Sequence, residues 1–309
     1  MSKLRVGLIG VGMMGKPMAR RLMAAGYPLT VHDVRPEPVE ELVAEGAARA
    51  ATPREVAAKS DVVLTSLPAL HACEEVYLGA NGLLNGARAG QTFVETSTVP
   101  PDTVRQFAAE GAKRGVTVMD AALLARNFFH PGLGNLKANE IVAKGTVTVL
   151  VGGAAEDLEK VRPVLATFGD PILHLGPVGS GEIVKVLCNA MSHAAYCVLC
   201  EILAVAAKAN VDISKLHEIM THTGSKSSLI ENVLPHYLKT GTGKMMSLEA
   251  AMKDSDAMLQ LGREFGVPMP MQGINQAYYQ LAAGRGFKDQ PWDELLKLWE
   301  EFIGKPIRF

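Results

Sequence analysis

The chain carries almost no surplus of either charge, with 31 Lys and Arg against 32 Asp and Glu in 309 residues. It therefore offers no basic excess to attract nucleic acid or an anionic membrane. Cysteine is scarce: Cys73, Cys188, Cys197 and Cys200 are the only four. That is too sparse for a disulfide-stapled secreted scaffold, and the four read as reduced thiols of a cytoplasmic protein. Cys197 and Cys200 do form a C-x-x-C, but it falls mid-helix with no second pair, so it reads as core packing. There is no internal repeat, no low-complexity tract and no signal-peptide-like start, because MSKLRVGLIGVG enters a strand and a glycine turn at once. The eight histidines show no ligand-like spacing with carboxylates or cysteines, so no metal is expected.

What is present is 48% hydrophobic and 20% charged, enough chain and apolar content for two globular domains. Apolar runs at 4–9, 27–33, 48–50, 61–67, 91–97 and 116–123 alternate with amphipathic stretches such as GKPMARRLMAAG and PDTVRQFAAEGAKRG. Two more runs, 146–153 and 171–176, bracket the helix AEDLEKVRPVLATFG. This alternation predicts parallel βαβ units in a doubly wound sheet. After Gly176 only helical spacing appears. The expected class is α/β, a Rossmann-like domain over 1–178 followed by an all-α domain over 179–309. The apolar stretch 183–207 is long enough to span a bilayer, but Lys185, Asn189, His193 and Glu201 within it favour a core helix, packed between domains or against a second subunit.

VGLIGVGMMG places Gly10, Gly12 and Gly15 as G-x-G-x-x-G directly after a strand and at a helix start. The first glycine permits the turn, the second admits a pyrophosphate and the third lets helix and strand approach closely. Met14 within this loop joins them as a cofactor-binding candidate. Asp33, closing the second strand, can accept bonds from both ribose hydroxyls and would repel a 2′-phosphate. NAD is therefore expected over NADP, although Arg35 nearby is of the type that can hold that phosphate.

Lys185, Asn189, Ser192 and Tyr196 recur at i, i+4, i+7 and i+11, one face of a helix. A polar stripe on an apolar helix should face a cleft. For hydride transfer some group must take or give a hydroxyl proton, and a partly desolvated lysine is suited to that task. The other reading of Lys185 is an ammonium snorkelling from a helix end.

These segments together resemble the β-hydroxyacid dehydrogenases, the group of 3-hydroxyisobutyrate dehydrogenase and tartronate semialdehyde reductase, kin of 6-phosphogluconate dehydrogenase. The resemblance rests on GLIGVGMMGKPMARRL, Leu67–Pro68, ETST at 95–98, the G-x-x-G-x-G-x-x-x-K-x-x-x-N run from Gly176 to Asn189, and KD at 253–254. It covers nearly the whole chain. It implies an active site between a Rossmann domain and a helical domain, with Lys185 as catalytic acid/base and Asn189 beside the substrate. Leu67, Pro68, Thr98 and Lys253 would line the cofactor, and Thr98 would also help to orient the substrate. Ser228, or Asn232, would flank the substrate pocket. The chain would act as a homodimer or homotetramer on a small anionic substrate.

One segment departs from that pattern. The family's D-A-P-V-S-G-G holds a substrate carboxylate, whereas here Asp120 and Ala121 are followed by Leu124 in place of the serine and Ala125–Arg126 in place of the glycines. Arg126 is the expected substitute, since a guanidinium binds a carboxylate, sulfonate or phosphate through two parallel bonds. The inserted NFFHPGLGN is read as a lid, a pocket wall or a subunit contact, and His130 in it and His193 on the long helix as structural histidines with some reach to substrate. Two other readings use the same plan. Imine reductases share it but generally lack a lysine at the position of Lys185, and a non-catalytic NAD-binding scaffold would dimerise through 181–207.

Overall fold

The computed structural model describes residues 3–125 and 136–309. The chain divides into two compact units, Met1–Lys185 and Val186–Phe309.

The first unit contains the strands β1 (Val6–Ile9), β2 (Leu29–His32), β3 (Ala48–Arg49), β4 (Val62–Thr65), β5 (Thr92–Glu95), β6 (Thr117–Leu124), β7 (Val147–Gly152) and β8 (Gly169–Gly176). Its helices are α1 (Gly15–Ala24), α2 (Pro36–Ala44), α3 (Pro53–Lys59), α4 (Leu70–Leu78), α5 (Leu83–Gly86), α6 (Pro101–Ala112), α7 (Ala138–Lys144) and α8 (Ala155–Leu165). The strands form one sheet in the order β3-β2-β1-β4-β5-β6-β7-β8. The inner strands β1, β4, β5 and β7, with sequences such as VVLT in β4 and VTVLVG in β7, are buried throughout. That is the signature of a sheet covered on both faces.

Alternate side chains sort between the two faces. Leu8, Val62, Leu64, Val94 and Met119 join Met18, Leu22, Leu42 and Val161 in one core. Ile9, Val63, Phe93 and Val118 join Val56, Tyr77, Val104 and Phe107 in the other. Strand periodicity thus builds two hydrophobic layers from one run of residues. The chain leaves β1 toward β2 and β3, then returns to β4 on the other side of β1, where it creates a switch point.

The sheet is mixed rather than wholly parallel as the pattern predicts. The pairs from β1 through β6 run parallel, but β7 lies antiparallel to β6, with Asp120 opposite Gly152 and Leu124 opposite Thr148. The link after β6 includes the non-matching segment that begins at Leu124, and the chain re-enters the sheet from the end at which β6 stops. An antiparallel neighbour can be reached in this way without a crossover to the opposite edge.

Helix α9 (Ser180–Lys208) begins in the first unit and continues through the second. The second unit adds α10 (Ile213–Thr221), α11 (Leu234–Thr240), α12 (Leu248–Glu264), α13 (Pro270–Ala282) and α14 (Leu296–Ile303), with short π and 3₁₀ turns. Among the described residues after Gly176 no strand occurs beyond an isolated bridge between Ser247 and Pro291. By length and apolarity α9 is able to cross a membrane, yet 56% of its most apolar window is buried in the protein. Its residues Tyr196, Leu199, Cys200 and Leu203 form a core with Val233, Tyr237, Tyr279 and Trp292. Both cysteines of the C-x-x-C are buried there, and burial pushes the Cys197 thiol up to about 12. Its mid-helix charge, Glu201, accepts a bond from the Tyr278 hydroxyl.

Candidate active site

The turn from β1 into α1 explains its glycines one at a time. Gly10 has φ +85°, and a Cβ there would lie 2.1 Å from the Ser66 carbonyl oxygen. A Cβ at Gly15 would lie 1.9 Å from the Gly10 carbonyl oxygen, so the third glycine is required for the helix to approach the strand. At Gly12 the only neighbour is the tip of Arg35, 3.2 Å away. The fold itself does not demand a glycine at that position, so the open side of the loop is where a ligand's phosphates would come against backbone. Met14, half-buried at the N-cap of α1, supplies no side-chain cap, and the first turn holds no acidic residue. Uncapped amides at a helix N-terminus favour an anion. The donor set thus fits a dinucleotide pyrophosphate.

Asp33 lies just past β2, and its carboxylate accepts from the amides of Val11 (2.9 Å) and Arg35 (3.0 Å) and from the Arg35 guanidinium (3.2 Å). Burial pushes this carboxyl up, but the bonds from Arg35 and Val11 outweigh it and hold it below the usual carboxylate range. It is therefore an ionised acceptor beside the glycine loop. Leu67 and Pro68 follow β4, and the Leu67 amide donates to Ser97 Oγ at 2.7 Å, joining the ends of β4 and β5. The Ser97 amide in turn donates to Glu95 Oε1 at 2.7 Å. Thr98 follows, and its Oγ1 receives the Lys185 ammonium at 2.6 Å. Gly10, Asp33, Leu67 and Thr98 thus all lie past the C-terminal ends of parallel strands, on either side of the switch point, where open α/β sheets bind ligands.

The placing of Lys185 depends on how α9 starts. Asp120, fully buried on β6, accepts from the Gly179 amide at 2.6 Å and the Glu182 amide at 3.1 Å. A Cβ at Gly181 would meet the Leu150 carbonyl oxygen at 2.1 Å, so the helix start sits directly on β7. Burial pushes the Asp120 carboxyl up and these amides pull it down, with burial the stronger. The glycines of the G-x-x-G-x-G run therefore seat the helix, and the lysine follows.

In the second unit, one turn further along α9 than Lys185, the Asn189 side-chain amide donates to Asp254 Oδ2 at 3.0 Å. Lys253, beside Asp254 on α12, is exposed, and Ser228 is half-buried ahead of α11. Of the expected stripe, Ser192 is exposed, but Tyr196 is buried and its hydroxyl donates to the Asp293 carbonyl. The stripe is polar in sequence, yet packing takes its last member into the core. His193 is buried between Tyr279 and Trp292, with centroids 5.7 and 5.1 Å away, as its structural reading expects. Arg126, His130 and the rest of the inserted NFFHPGLGN lie outside the described residues.

Two residues carry no assignment from the sequence. Asp254 stands in the quoted KD pair, but nothing local indicates that it holds Asn189. Glu182 occupies the first turn of a helix, where an acid is ordinarily a surface residue favoured by the helix dipole.

Residues 5–176 match the NAD binding domain of 6-phosphogluconate dehydrogenase, and residues 179–299 match the NAD-binding domain of NADP-dependent 3-hydroxyisobutyrate dehydrogenase. The chain belongs to the β-hydroxyacid dehydrogenase family. A 2-(hydroxymethyl)glutarate dehydrogenase of Eubacterium barkeri is 30% identical over 98% of this chain and 97% of its own. An NAD-dependent L-serine dehydrogenase of Pseudomonas aeruginosa is 31% identical, covering 97% of this chain and 99% of that one. The 3-hydroxyisobutyrate dehydrogenase of Mycobacterium tuberculosis, solved with L-serine, superposes with a TM-score of 0.83 at 22% identity over 96% of this chain and 99% of that one, and shares its fold. As a β-hydroxyacid dehydrogenase the protein is an NAD(P)-dependent oxidoreductase, with a Rossmann-like nucleotide domain followed by a helical part.

Proposed function

We propose that this β-hydroxyacid dehydrogenase interconverts the alcohol and aldehyde of a small anionic hydroxy acid of the 3-hydroxyisobutyrate kind, with NAD as cofactor and Lys185 as general acid and base. The observation that carries the reading is the bond from Lys185 Nζ to Thr98 Oγ1, 2.6 Å, past the C-terminal end of β5. It supports the reading by bringing the lysine of the Gly176–Asn189 motif to the turn after β5, past the C-terminal end of a parallel strand, where open α/β sheets take their ligands. The bound nicotinamide supplies the hydride acceptor or donor. In oxidation Lys185 takes the hydroxyl proton, and in reduction it returns one to the carbonyl oxygen. Thr98 holds the Nζ in place. Asn189, oriented by Asp254, and Ser228 contact the substrate, and Arg126 pairs with its carboxylate. Lys253 lies against the cofactor.

The preference for NAD rests on the ionised Asp33 beside the loop, which a 2′-phosphate would meet at close range. The acid character of the substrate agrees with the names of the relatives, among them the 3-sulfolactaldehyde reductase of Escherichia coli, 28% identical over 94% of each chain. The proposed enzyme is a homo-oligomer, since α9 leaves Leu187, Met191, Val198, Ile202 and Val205 exposed along one face, and its sparse cysteines suit the cytoplasm. Light scattering on the eluted protein tests this, and a monomer contradicts it.

The activity test is NADH production with 3-hydroxyisobutyrate, L-serine, L-threonate, 2-(hydroxymethyl)glutarate and 2,3-dihydroxypropane-1-sulfonate beside their neutral analogues, and Lys185→Ala as the control. Lysine-dependent turnover confined to the acids supports the reading. Turnover that survives Lys185→Ala, or a cyclic imine reduced while every hydroxy acid stays silent, overturns it.

A further inference from the structure

In the second unit the start of α12 is tied down by a neighbouring stretch of backbone. The Trp292 amide donates to the Met246 carbonyl at 2.8 Å, the Leu248 amide to the Gln290 carbonyl at 2.8 Å, and the Glu249 amide to the Lys288 carbonyl at 3.0 Å. The 3₁₀ turn Trp292–Leu295 adds two buried acids to this seam. Asp293 accepts from the Lys244 amide at 3.0 Å and from the Met245 amide at 3.0 Å, and Glu294 accepts from the Gly243 amide at 2.8 Å. A Cβ at Gly243 would lie 2.5 Å from Asp293 Oδ1, so the two segments approach as closely as a glycine allows. Ser247 then caps α12, accepting from the Ala250 amide at 3.3 Å, and Asp254 follows on the same helix.

The same turn holds α9. The Tyr196 hydroxyl donates to the Asp293 carbonyl, and Trp292 meets the Tyr196 ring edge-on, with centroids 4.6 Å apart. Tyr196 lies about two helical turns past Asn189 on the same face of α9. Asp293 thus grips both helices, α9 through its carbonyl and the approach to α12 through its carboxyl oxygens. The Asn189–Asp254 bond, 3.0 Å, closes this frame on the other side.

We propose that Asp293 is a positioning residue for the reaction: by fixing the spacing of α9 and α12 it sets the Asn189–Asp254 bond, and with it the direction in which Asn189 meets substrate. This role rests on the proposed contact of Asn189 with substrate. Its physical basis is the difference between the two kinds of contact that hold helices together. Apolar contacts are non-directional and let packed helices slide, whereas hydrogen bonds fix a distance and weaken steeply as donor and acceptor part. A substrate-positioning group displaced by about 1 Å can lose on the order of 10²-fold in rate. Asp293 touches neither Asn189 nor Asp254 in the listed bonds of the frame; it acts through the helices that carry them.

The test uses Asp293→Asn, which keeps the size and the carbonyl that Tyr196 needs but sets an amide N–H₂ against the N–H groups of Lys244 and Met245. Hydrogen exchange, followed by mass spectrometry without substrate, should quicken about tenfold across 243–254 while peptides of the first unit exchange as in the wild type. The kcat should fall about tenfold with the KM for NAD unchanged. In an Asn189→Ala background the same substitution should cost less than about twofold, because the group it positions is gone. A merely structural role lowers the amount of active enzyme and so multiplies the loss in both backgrounds. Unchanged exchange, unchanged kcat, or a loss fully multiplicative with that of Asn189→Ala overturns the role of Asp293. Should Asp293→Asn fail to fold, Tyr196→Phe, which removes only the bond from α9, replaces it in the kcat cycle, with the same non-additivity expected and full multiplication again decisive against it. Full activity of Asn189→Ala by itself is a separate outcome, which removes the contact of Asn189 with substrate and the role of Asp293 with it. A costly Asn189→Ala beside a harmless Asp293→Asn removes Asp293 alone.

Discussion

Lys185 and Thr98, 87 positions apart in the chain, are joined by a 2.6 Å bond from ammonium to hydroxyl. The helix that carries the lysine is anchored by Asp120, and the turn that carries the threonine is anchored by Glu95 through the Ser97 amide. Both ends of the bond are therefore held by buried carboxyl groups. If Lys185 is the acid and base, Lys185→Ala should lower turnover by about 10²- to 10⁴-fold with NAD affinity intact. Thr98→Val should cost about tenfold in kcat/KM. Steady-state kinetics alongside NAD titration by fluorescence checks both, and a Thr98→Val enzyme with unchanged kcat/KM would show that the bond has no part in the reaction.

Asn189 donates to Asp254, so each constrains the other. Alanine at either position is expected to lower kcat by about tenfold or more, and the double variant by much less than the product. A double-mutant cycle measures this. Strict additivity would separate the two residues functionally.

The Asp33 carboxylate is occupied by Val11 and Arg35. Removing it frees Arg35 for a phosphate and removes the charge that repels one. Asp33→Ser should therefore shift the NADP-to-NAD affinity ratio by about tenfold or more toward NADP. Binding isotherms for both cofactors check it; a ratio unchanged from wild type assigns Asp33 to loop structure alone.

Arg126 follows Ala125 where the family pattern has its glycine pair, just after the position of the carboxylate-binding serine. Arg126→Ala is expected to raise KM for an acidic substrate about tenfold while cofactor affinity holds. An unchanged KM returns this arginine to the surface.

His193 links burial to acid stability. Burial lowers its ring to about 4 from an ordinary 6.5, so the folded state binds fewer protons there than the unfolded chain does. Its contribution to stability is complete above about pH 6.5 and declines as pH falls toward about 4, by up to about 3 kcal/mol. His193→Phe should therefore gain on the wild type between pH 7.5 and pH 5, as read from urea midpoints at about those two values. Parallel acid dependence in the two proteins would remove His193 as a cause.

Much of the site is legible in the order of the amino acids, because local chemistry carries it. G-x-G-x-x-G after a strand has few physical readings, and Gly10 and Gly15 are required by contacts within a few residues or with the neighbouring strand. Lys185 and Asn189 are one helical turn apart in any helix. Tyr196, on the same periodic face, cannot be placed in this way, since its burial depends on Trp292 and Asp293, about a hundred positions away. The antiparallel turn of β7 is likewise hidden, because strand direction leaves no mark on an alternating apolar run.

By itself the amino-acid order determined the two-part plan, from spacing at 2 or 3.6 residues per period, the nucleotide loop, from glycines where only glycine fits, and the helical spacing of a lysine and an asparagine one turn apart. Only the tertiary structure decided what surrounds those residues: Thr98 on Lys185, Asp254 on Asn189, and Glu182 without a polar partner among the described residues. Burial and long-range contact set the charge state of a carboxyl, and neither is a property of its neighbours in sequence.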